Sequence, residues 1–240
     1  MTSRIIKLLS REIIASGTMA FHFEKPSDFS FKAGQYIQMT LIDPPETDDD
    51  GNTRTLSIAS SPYENEVMFA MRIRDKAFKR VLKSMPPGGT VKIDGPFGSL
   101  VLPEDKIRPL IFLVGGIGIT PVFSILRQAL YEKRPQPFYL FYANRKPEDI
   151  TFKDILCDLQ KNFDNFRLIT TVTSPEINFP GWTGEKGHLS AKMISAYAPD
   201  YQDAFFYVVG SLDMVMSMTT MARQMGIADG FIKYEEFIGY

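Results

Sequence analysis

Two periods of apolar and polar residues divide this chain, one on either side of the charged, proline-bracketed stretch Pro103–Arg108. Before it, short runs alternate two by two, as where Ile37, Met39 and Leu41 interleave with Tyr36, Gln38 and Thr40. A period of two places the apolar set on one face of a strand. The runs Arg4–Ile14, Thr18–Glu24, Gln35–Ile42, Arg54–Ala59, Glu66–Ile73 and Thr90–Asp94 are therefore predicted as strands. Phe78, Val81, Leu82 and Met85 break that rhythm by recurring at i, i+3, i+4 and i+7, a single helical face. Pro86-Pro87-Gly88-Gly89 ends the helix, since proline cannot continue it and glycine suits its cap. Many short strands with Gly and Pro turns predict an antiparallel β-barrel over residues 1–105.

From Pro109 the period lengthens. Leu110–Val114 is a continuous apolar run, as expected of a strand covered on both faces. Helices are predicted over Pro121–Glu132, Phe152–Lys161, Ser190–Tyr197 and Leu212–Met225, alternating with strands over Phe138–Ala143, Arg167–Thr173, Phe205–Val209 and Phe231–Glu235. Such alternation predicts an open, mostly parallel sheet with helices on both faces over residues 106–240. Met214, Met218, Met221 and Met225 recur at helical spacing and are expected to pack as one helix face.

Composition narrows the function classes. With 27 basic and 28 acidic residues the net charge is −1, which offers no electrostatic footprint for nucleic acid or a membrane surface. No apolar run approaches the ~18 residues of a membrane span and no leader pattern opens the sequence, so no membrane insertion and a cytoplasmic location are expected. The single cysteine, Cys157, excludes an internal disulfide and a cysteine-ligated iron–sulfur cluster, and reads as a buried small residue. Two histidines leave little material for a metal site, and none is expected. The acidic run Asp48-Asp49-Asp50 precedes Gly51-Asn52 and reads as a solvated loop.

One segment carries chemistry on its own terms. The strand at Leu110–Val114 runs into Gly115-Gly116-Ile117-Gly118-Ile119-Thr120-Pro121 and then a helix. Glycines let the backbone turn sharply and approach a ligand closely. Thr120 is a good N-cap and Pro121 suits the first helical position. The helix start would then favour an anion such as a pyrophosphate. Pro121 stands where the ordinary dinucleotide fingerprint has its third glycine. Two further glycine loops, Gly184–Gly187 and Val209-Gly210-Ser211, are placed after strand ends.

With that loop in place, the whole chain resembles the ferredoxin–NADP reductase-like family of FAD- and NAD(P)-binding oxidoreductases. Arg54-Thr55-Leu56-Ser57 is similar to the family's flavin motif, continuing into Ile58-Ala59-Ser60-Ser61-Pro62. Phe31-Lys32-Ala33-Gly34-Gln35-Tyr36 resembles the strand entry before it, and Gly95-Pro96-Phe97-Gly98 the turn ending the barrel. The glycine loop to Pro121 resembles the pyrophosphate loop, and Tyr234-Glu235-Glu236-Phe237-Ile238-Gly239-Tyr240 the closing segment against the flavin.

The resemblance implies a flavin domain followed by an NAD(P)-binding domain, with electrons passing from a nicotinamide dinucleotide through FAD to an acceptor. Arg54 is implied as a bidentate phosphate partner and the Ser57 hydroxyl as a hydrogen-bond partner of the flavin edge that accepts hydride. Leu56 stands where the family has an aromatic, usually tyrosine, so it can pack on the ring but not stack. Met71-Arg72-Ile73 and Lys76-Ala77-Phe78 are implied as the strand and helix start that hold the phosphates, with Ala77 where serine is common. Lys79 and Arg80 there are either phosphate partners or a solvated helix face.

Gly116, Gly118, Ile119, Thr120, Pro121 and Gly210 are implied as dinucleotide contacts, with Val209 where a cysteine is common. Hydride transfer needs donor and acceptor about 3–3.5 Å apart, so positioning is the main catalytic task. Glu235 is implied as a proton relay, with Glu236 the alternative, and Phe237 or Tyr240 as a cover for the flavin face.

Ser174-Pro175-Glu176 after the third parallel strand favours NADH, while Arg145 and Lys146 keep NADPH open. FAD is expected over FMN. The acceptor is expected to be a separate protein or a small molecule, and the chain a monomer or dimer. A non-catalytic electron-transfer subunit and a sensing module without flavin are the competing readings.

Overall fold

A computed structural model of the chain describes residues 3–175 and 179–237. Two units divide it, Met1–Leu102 with Thr120–Gln128 and Pro103–Ile119 with Ala129–Tyr240.

The first unit is built on β1 (Arg4–Ala15), β2 (Thr18–Glu24), β3 (Tyr36–Leu41), β4 (Thr53–Ser57), β5 (Glu66–Arg72) and β6 (Thr90–Phe97). They form an antiparallel sheet in the order β4-β3-β6-β1-β2-β5. Its two ends meet where Ile58 bridges Phe69 and the Ala59 N–H donates to the Met68 carbonyl at 2.8 Å, so the sheet closes as a barrel. The period-2 set read from β3 points inward: Ile37 and Met39 are fully buried and Leu41 nearly so. Phe23 and Phe69 meet edge to face inside, centroids 5.8 Å apart. Strand β6 runs past its expected end at Asp94, through Gly95-Pro96 to Phe97, with a register shift opposite Tyr36 and Gln38. A proline that cannot donate to the ladder is tolerated at such an irregularity.

Helix α1 (Ala77–Ser84) buries Phe78, Val81 and Leu82 among the barrel's core residues, the face that the spacing predicts. Residues Thr120–Gln128 of α2 (Ile119–Tyr131) belong to this unit as well. The Ser61 hydroxyl donates to the Ser124 carbonyl at 2.9 Å, and the Ser124 hydroxyl donates to the Ser60 carbonyl at 2.6 Å. Both serines of Ser60-Ser61-Pro62 are thus fastened to α2. Gly34 explains its own identity: at φ +96° a Cβ there would stand 1.9 Å from the Leu100 carbonyl oxygen.

The second unit holds β7 (Leu110–Gly115), β8 (Phe138–Asn144), β9 (Phe166–Val172), β10 (Glu185–Lys186), β11 (Phe205–Gly210) and β12 (Ile232–Glu236). All neighbours are parallel, in the order β10-β9-β8-β7-β11-β12. Leu110, Ile111, Phe112, Leu113 and Val114 are fully buried, as the unbroken apolar run requires. Helices α3 (Lys153–Asn162), α4 (Ala191–Tyr197) and α5 (Leu212–Gln224) complete the unit. Met218 is buried, and Met214, Met221 and Met225 pack against the same core, which makes the methionine stripe structural.

Two sequence expectations need correction here. Gly184–Gly187 is not a loop following a strand end: Glu185–Lys186 is itself an edge strand on β9, and Gly184 has its missing Cβ 2.7 Å from the Thr170 carbonyl oxygen. Cys157 is half-buried rather than buried, although its neighbour Leu156 is fully enclosed. Among the described residues no helix is long and apolar enough to cross a membrane.

Candidate functional site

Each unit carries a candidate site, and the two are built from different materials. In the barrel it is made of charged side chains. Along β4 the exposure alternates, so that Arg54 and Leu56 are half-buried while Thr53 and Thr55 face outward, and Ser57 is buried at the strand's end. Leu56 packs against the barrel core. The Arg54 guanidinium lies 5.2 Å from the centre of the Phe78 ring, a cation–π contact that fixes its plane. Phe78 itself is buried, so its side chain supports Arg54 from below. Met71 is buried in β5, Arg72 is half-buried at its end, and the Ile73 N–H donates to the Gly17 carbonyl at 2.8 Å. Lys76 is the N-cap residue of α1 and offers no side-chain cap of its own.

What caps α1 instead comes from the acidic run, a loop in which Asp49 and Asp50 are exposed as expected while Asp48 turns toward the helix. The Ala77 N–H donates to Asp48 Oδ2 at 2.8 Å. Lys76 Nζ stands 3.0 Å from Asp50 Oδ2, and Arg54 Nη2 stands 3.5 Å from Asp48 and 3.6 Å from Asp50. Arg54 Nη1 donates to the Asp50 carbonyl at 2.8 Å and to that of Gly51 at 3.1 Å. Arg80 pairs with Glu46, its Nε donating at 3.0 Å, and also with Asp75. The Ala77 N–H holds the Asp48 carboxyl below the ordinary aspartate range, with the Asp50 N–H, Arg54 and Lys76 adding to that against some desolvation. Asp50 holds the Lys76 ammonium above its usual value.

Two cations nevertheless stand outside these pairs. Among the described residues, Lys79 and Arg74 make no ion pair, and burial followed by the fields of Arg74, Arg54 and Lys76 lowers Lys79. Arg54 Nη2, though ion-paired with Asp48 and Asp50, is a buried nitrogen with no hydrogen-bond partner among the described residues. A cradle with two cations outside ion pairs, a helix start and a guanidinium nitrogen held by charge but by no hydrogen bond fits a phosphate-bearing ligand.

In the sheet the candidate site is made of backbone. Strands β8, β9 and β10 extend to one side of β7 and β11 and β12 to the other, so the strand order reverses between β7 and β11. Ligands bind beyond the carboxyl ends of strands at such a reversal. There the glycine turn proves tighter than expected. Gly116–Gly118 is a 3-10 turn leading directly into α2 at Ile119, and the cap is Gly115, which has no side chain to offer. Thr120 and Pro121 therefore lie within the first turn of α2 and not at its cap, a correction whose physical cause is the early 3-10 start. Gly116 adopts φ +53° with open space where a Cβ would be. Gly118 has no such space: a Cβ would stand 2.8 Å from the Val209 carbonyl oxygen. Gly115 and Gly210 both face Met214, whose sulfur lies 2.3 Å and 2.8 Å from the positions their Cβ atoms would take.

Other predicted residues arrive at the same end of this sheet. Parallel register sets Glu235 beside Val209 and Glu236 beside Gly210. The Phe237 N–H donates to the Gly210 carbonyl at 2.9 Å. Arg145 is exposed just past β8, its carbonyl accepting the Ser174 N–H at 3.0 Å. Tyr240 and Glu176 lie outside the described residues.

Two residues here escaped the sequence reading. Tyr142 is fully buried in β8, and its hydroxyl donates to the Gly116 carbonyl at 2.9 Å while accepting the Thr151 N–H at 3.2 Å. Asn144, at the end of β8, is 3% exposed, and among the described residues neither its amide nitrogen nor its amide oxygen has a hydrogen-bond partner. For Asn144 the available signal was a polar residue closing a strongly apolar strand. Among the described residues no cluster of His, Cys, Asp and Glu could hold a metal ion.

An antiparallel barrel followed by a parallel sheet with a glycine turn at its reversal is a two-domain arrangement with a candidate anion site in each unit. Residues 112–220 match the family described as "Oxidoreductase NAD-binding domain". The chain is 28% identical over 199 residues to reductase component 1 of a terephthalate 1,2-dioxygenase from Comamonas sp., covering 82% of this chain and 56% of that one. It is 24% identical to an NAD(P)H-flavin reductase of Aliivibrio fischeri, covering 97% of this chain and 95% of the relative. A ferredoxin NADP+ reductase from Neisseria gonorrhoeae, solved with bound FAD and NADP, shares the fold at TM-score 0.81 and 22% identity, over 98% of each chain. The chain has the two-domain fold of ferredoxin NADP+ reductase, and within it residues 112–220 match an oxidoreductase NAD-binding family. It spans 56% of the length of both terephthalate dioxygenase reductases that it matches.

Proposed function

We propose that this chain is an NAD(P)H-dependent flavin reductase. It takes hydride from a nicotinamide dinucleotide onto a flavin, such as the FAD bound by the Neisseria gonorrhoeae reductase, and hands electrons to a separate protein or small-molecule acceptor. The observation that carries the reading is the glycine turn Gly116–Gly118 at the reversal of strand order, in a segment that matches an oxidoreductase NAD-binding family. The flavin supplies two-electron chemistry when bound, and the chain's own residues supply binding and orientation.

In this reading residues 1–105 hold the flavin and residues 106–240 the dinucleotide. Arg54 and Lys76 neutralise flavin phosphate, and the N–H groups at Ala77 and Phe78 meet it from the helix start. Met71, Arg72 and Ile73 shape the wall beside them, Thr55 and Leu56 border the ring, and the Ser57 hydroxyl orients its reactive edge. Gly116, Gly118, Ile119, Thr120 and Pro121 seat the pyrophosphate at the start of α2, with Gly210 leaving room opposite. Asn144 offers its unpaired amide to the dinucleotide, and Arg145 a charge to its ribose end. Glu235 moves a proton, and Phe237 or Tyr240 covers the flavin face until nicotinamide displaces it. The chain acts in the cytoplasm, as a monomer or dimer, without inserting into a membrane.

The test is spectroscopic and then kinetic. Purified chain supplied with FAD should show flavin absorbance bands that bleach on anaerobic addition of NADH or NADPH, titrated in parallel. Steady-state oxidation of the same dinucleotide by ferricyanide should follow. Flavin that binds but is not reduced would turn the assignment to a non-catalytic electron-transfer subunit, and absence of any flavin binding would sink it.

A further inference from the structure

The acidic segment Glu46–Asp50 has a consequence for which flavins the barrel accepts, an inference that rests on the flavin reading above. Three of its carboxylates are engaged at the start of α1. Glu46 pairs with Arg80, Asp48 accepts the Ala77 N–H, and Asp50 pairs with Lys76. Asp48 and Asp50 also flank the Arg54 guanidinium. These are the groups that a flavin phosphate would use: a guanidinium, an ammonium and a helix N–H. A carboxylate and a phosphate ask for the same donors, so the two compete for one place.

We propose that Glu46–Asp50 is an internal stand-in for flavin phosphate, a strap that fills the cradle until a phosphorylated flavin displaces it. Displacement exchanges one set of charge-assisted contacts for another, so the phosphate adds little net affinity. The chain therefore selects flavins by their ring system and discriminates weakly among riboflavin, FMN and FAD. The unpaired Lys79 and Arg74 give the incoming phosphate its residual advantage, which keeps the strap displaceable.

Fluorescence-quenching titrations of the full chain with riboflavin, FMN and FAD at low salt test this. The wild type should bind the three within about threefold of one another. In the Asp48→Asn, Asp50→Asn double variant FMN and FAD should tighten about tenfold while riboflavin stays unchanged, and added salt should erase the gain. Asp49→Asn, at an exposed neighbour with no ion pair among the described residues, should change each affinity by less than about twofold. Equal gains for riboflavin, or weaker FMN and FAD in a folded double variant, would overturn the proposal. Should the double variant lose its circular dichroism, the wild type decides alone, because a preference for FMN over riboflavin beyond about thirtyfold is incompatible with an occupied cradle. Failure of all three flavins to bind either protein would instead overturn the flavin reading itself.

Discussion

The barrel's cradle and the sheet's glycine turn are both suited to anions, yet they resist change in opposite ways. The cradle depends on which charges stand near Arg54 and Lys76, and its own strap already satisfies part of that demand. The turn depends on room, with Gly118 against the Val209 carbonyl and Gly116 at a positive φ. Electrostatic sites respond to salt, pH and charge-neutral substitutions. Steric sites respond to single carbon atoms. The lesson is that one chain can retune its first ligand gradually while its second is held by an all-or-none fit.

Gly118→Val should give the largest effect. Displacing the Val209 carbonyl should cost about 1–3 kcal/mol of stability and lower kcat/KM for NADH on the order of a hundredfold, with flavin affinity measured by fluorescence unchanged. A substitution tolerated without loss in kcat/KM would break the contrast between the two sites.

Tyr142→Phe comes next. Removing the hydroxyl leaves the Gly116 carbonyl and the Thr151 N–H short of a buried partner, which should cost roughly 1–3 kcal/mol in urea unfolding. Asn144→Leu should move the other way, because its amide is buried without partners in the free chain. Unfolding should show a gain of up to about 1 kcal/mol while KM for the dinucleotide rises several-fold. Stability and KM falling together would mean that Asn144 is structural.

On the barrel side, Leu56→Tyr restores an aromatic surface and should tighten flavin by about two- to tenfold, corresponding to ~0.5–1.5 kcal/mol of ring stacking. The same titrations with riboflavin should show the same gain, since the phosphate is not involved.

The smallest effect is that of pH on the strap. The Asp48 carboxyl is held below its ordinary range in the folded chain, so its contribution is fully present at neutral pH. It is lost as pH falls through that lowered value, when the protonated acid ceases to hold Ala77 and Arg54. The Ala77 amide resonance should therefore move with a midpoint below the ordinary aspartate range. Movement centred above that range would contradict the hydrogen bond assigned to it.

Most elements of both units are readable from the apolar pattern, because burial follows a spacing of two in β3, three to four in α1 and an unbroken run in β7. The glycine turn is readable too, since glycine at positions 116 and 118 answers a backbone requirement at those very residues. Its exact start is not: a 3-10 turn shifts the helix start from Thr120 back to Gly116, and local preference for Thr at a cap loses to the geometry of the strand exit. Asp48 is illegible for another reason. Its partner Ala77 lies far along the chain, and nothing in Asp48-Asp49-Asp50 distinguishes a carboxylate facing water from one facing a helix. Tyr142 is similar, a phenol in an apolar strand whose hydroxyl acquires meaning only when β7 and β8 are side by side.

Helix α1 is eight residues long and brings no cap of its own. Helices so short do not persist in isolation, so its first turn has to wait for the β3–β4 hairpin to deliver Asp48. The segment that blocks the cradle is in this sense also the template on which the cradle assembles, and when the hairpin frays, blockade and binding surface should dissolve as a single cooperative piece.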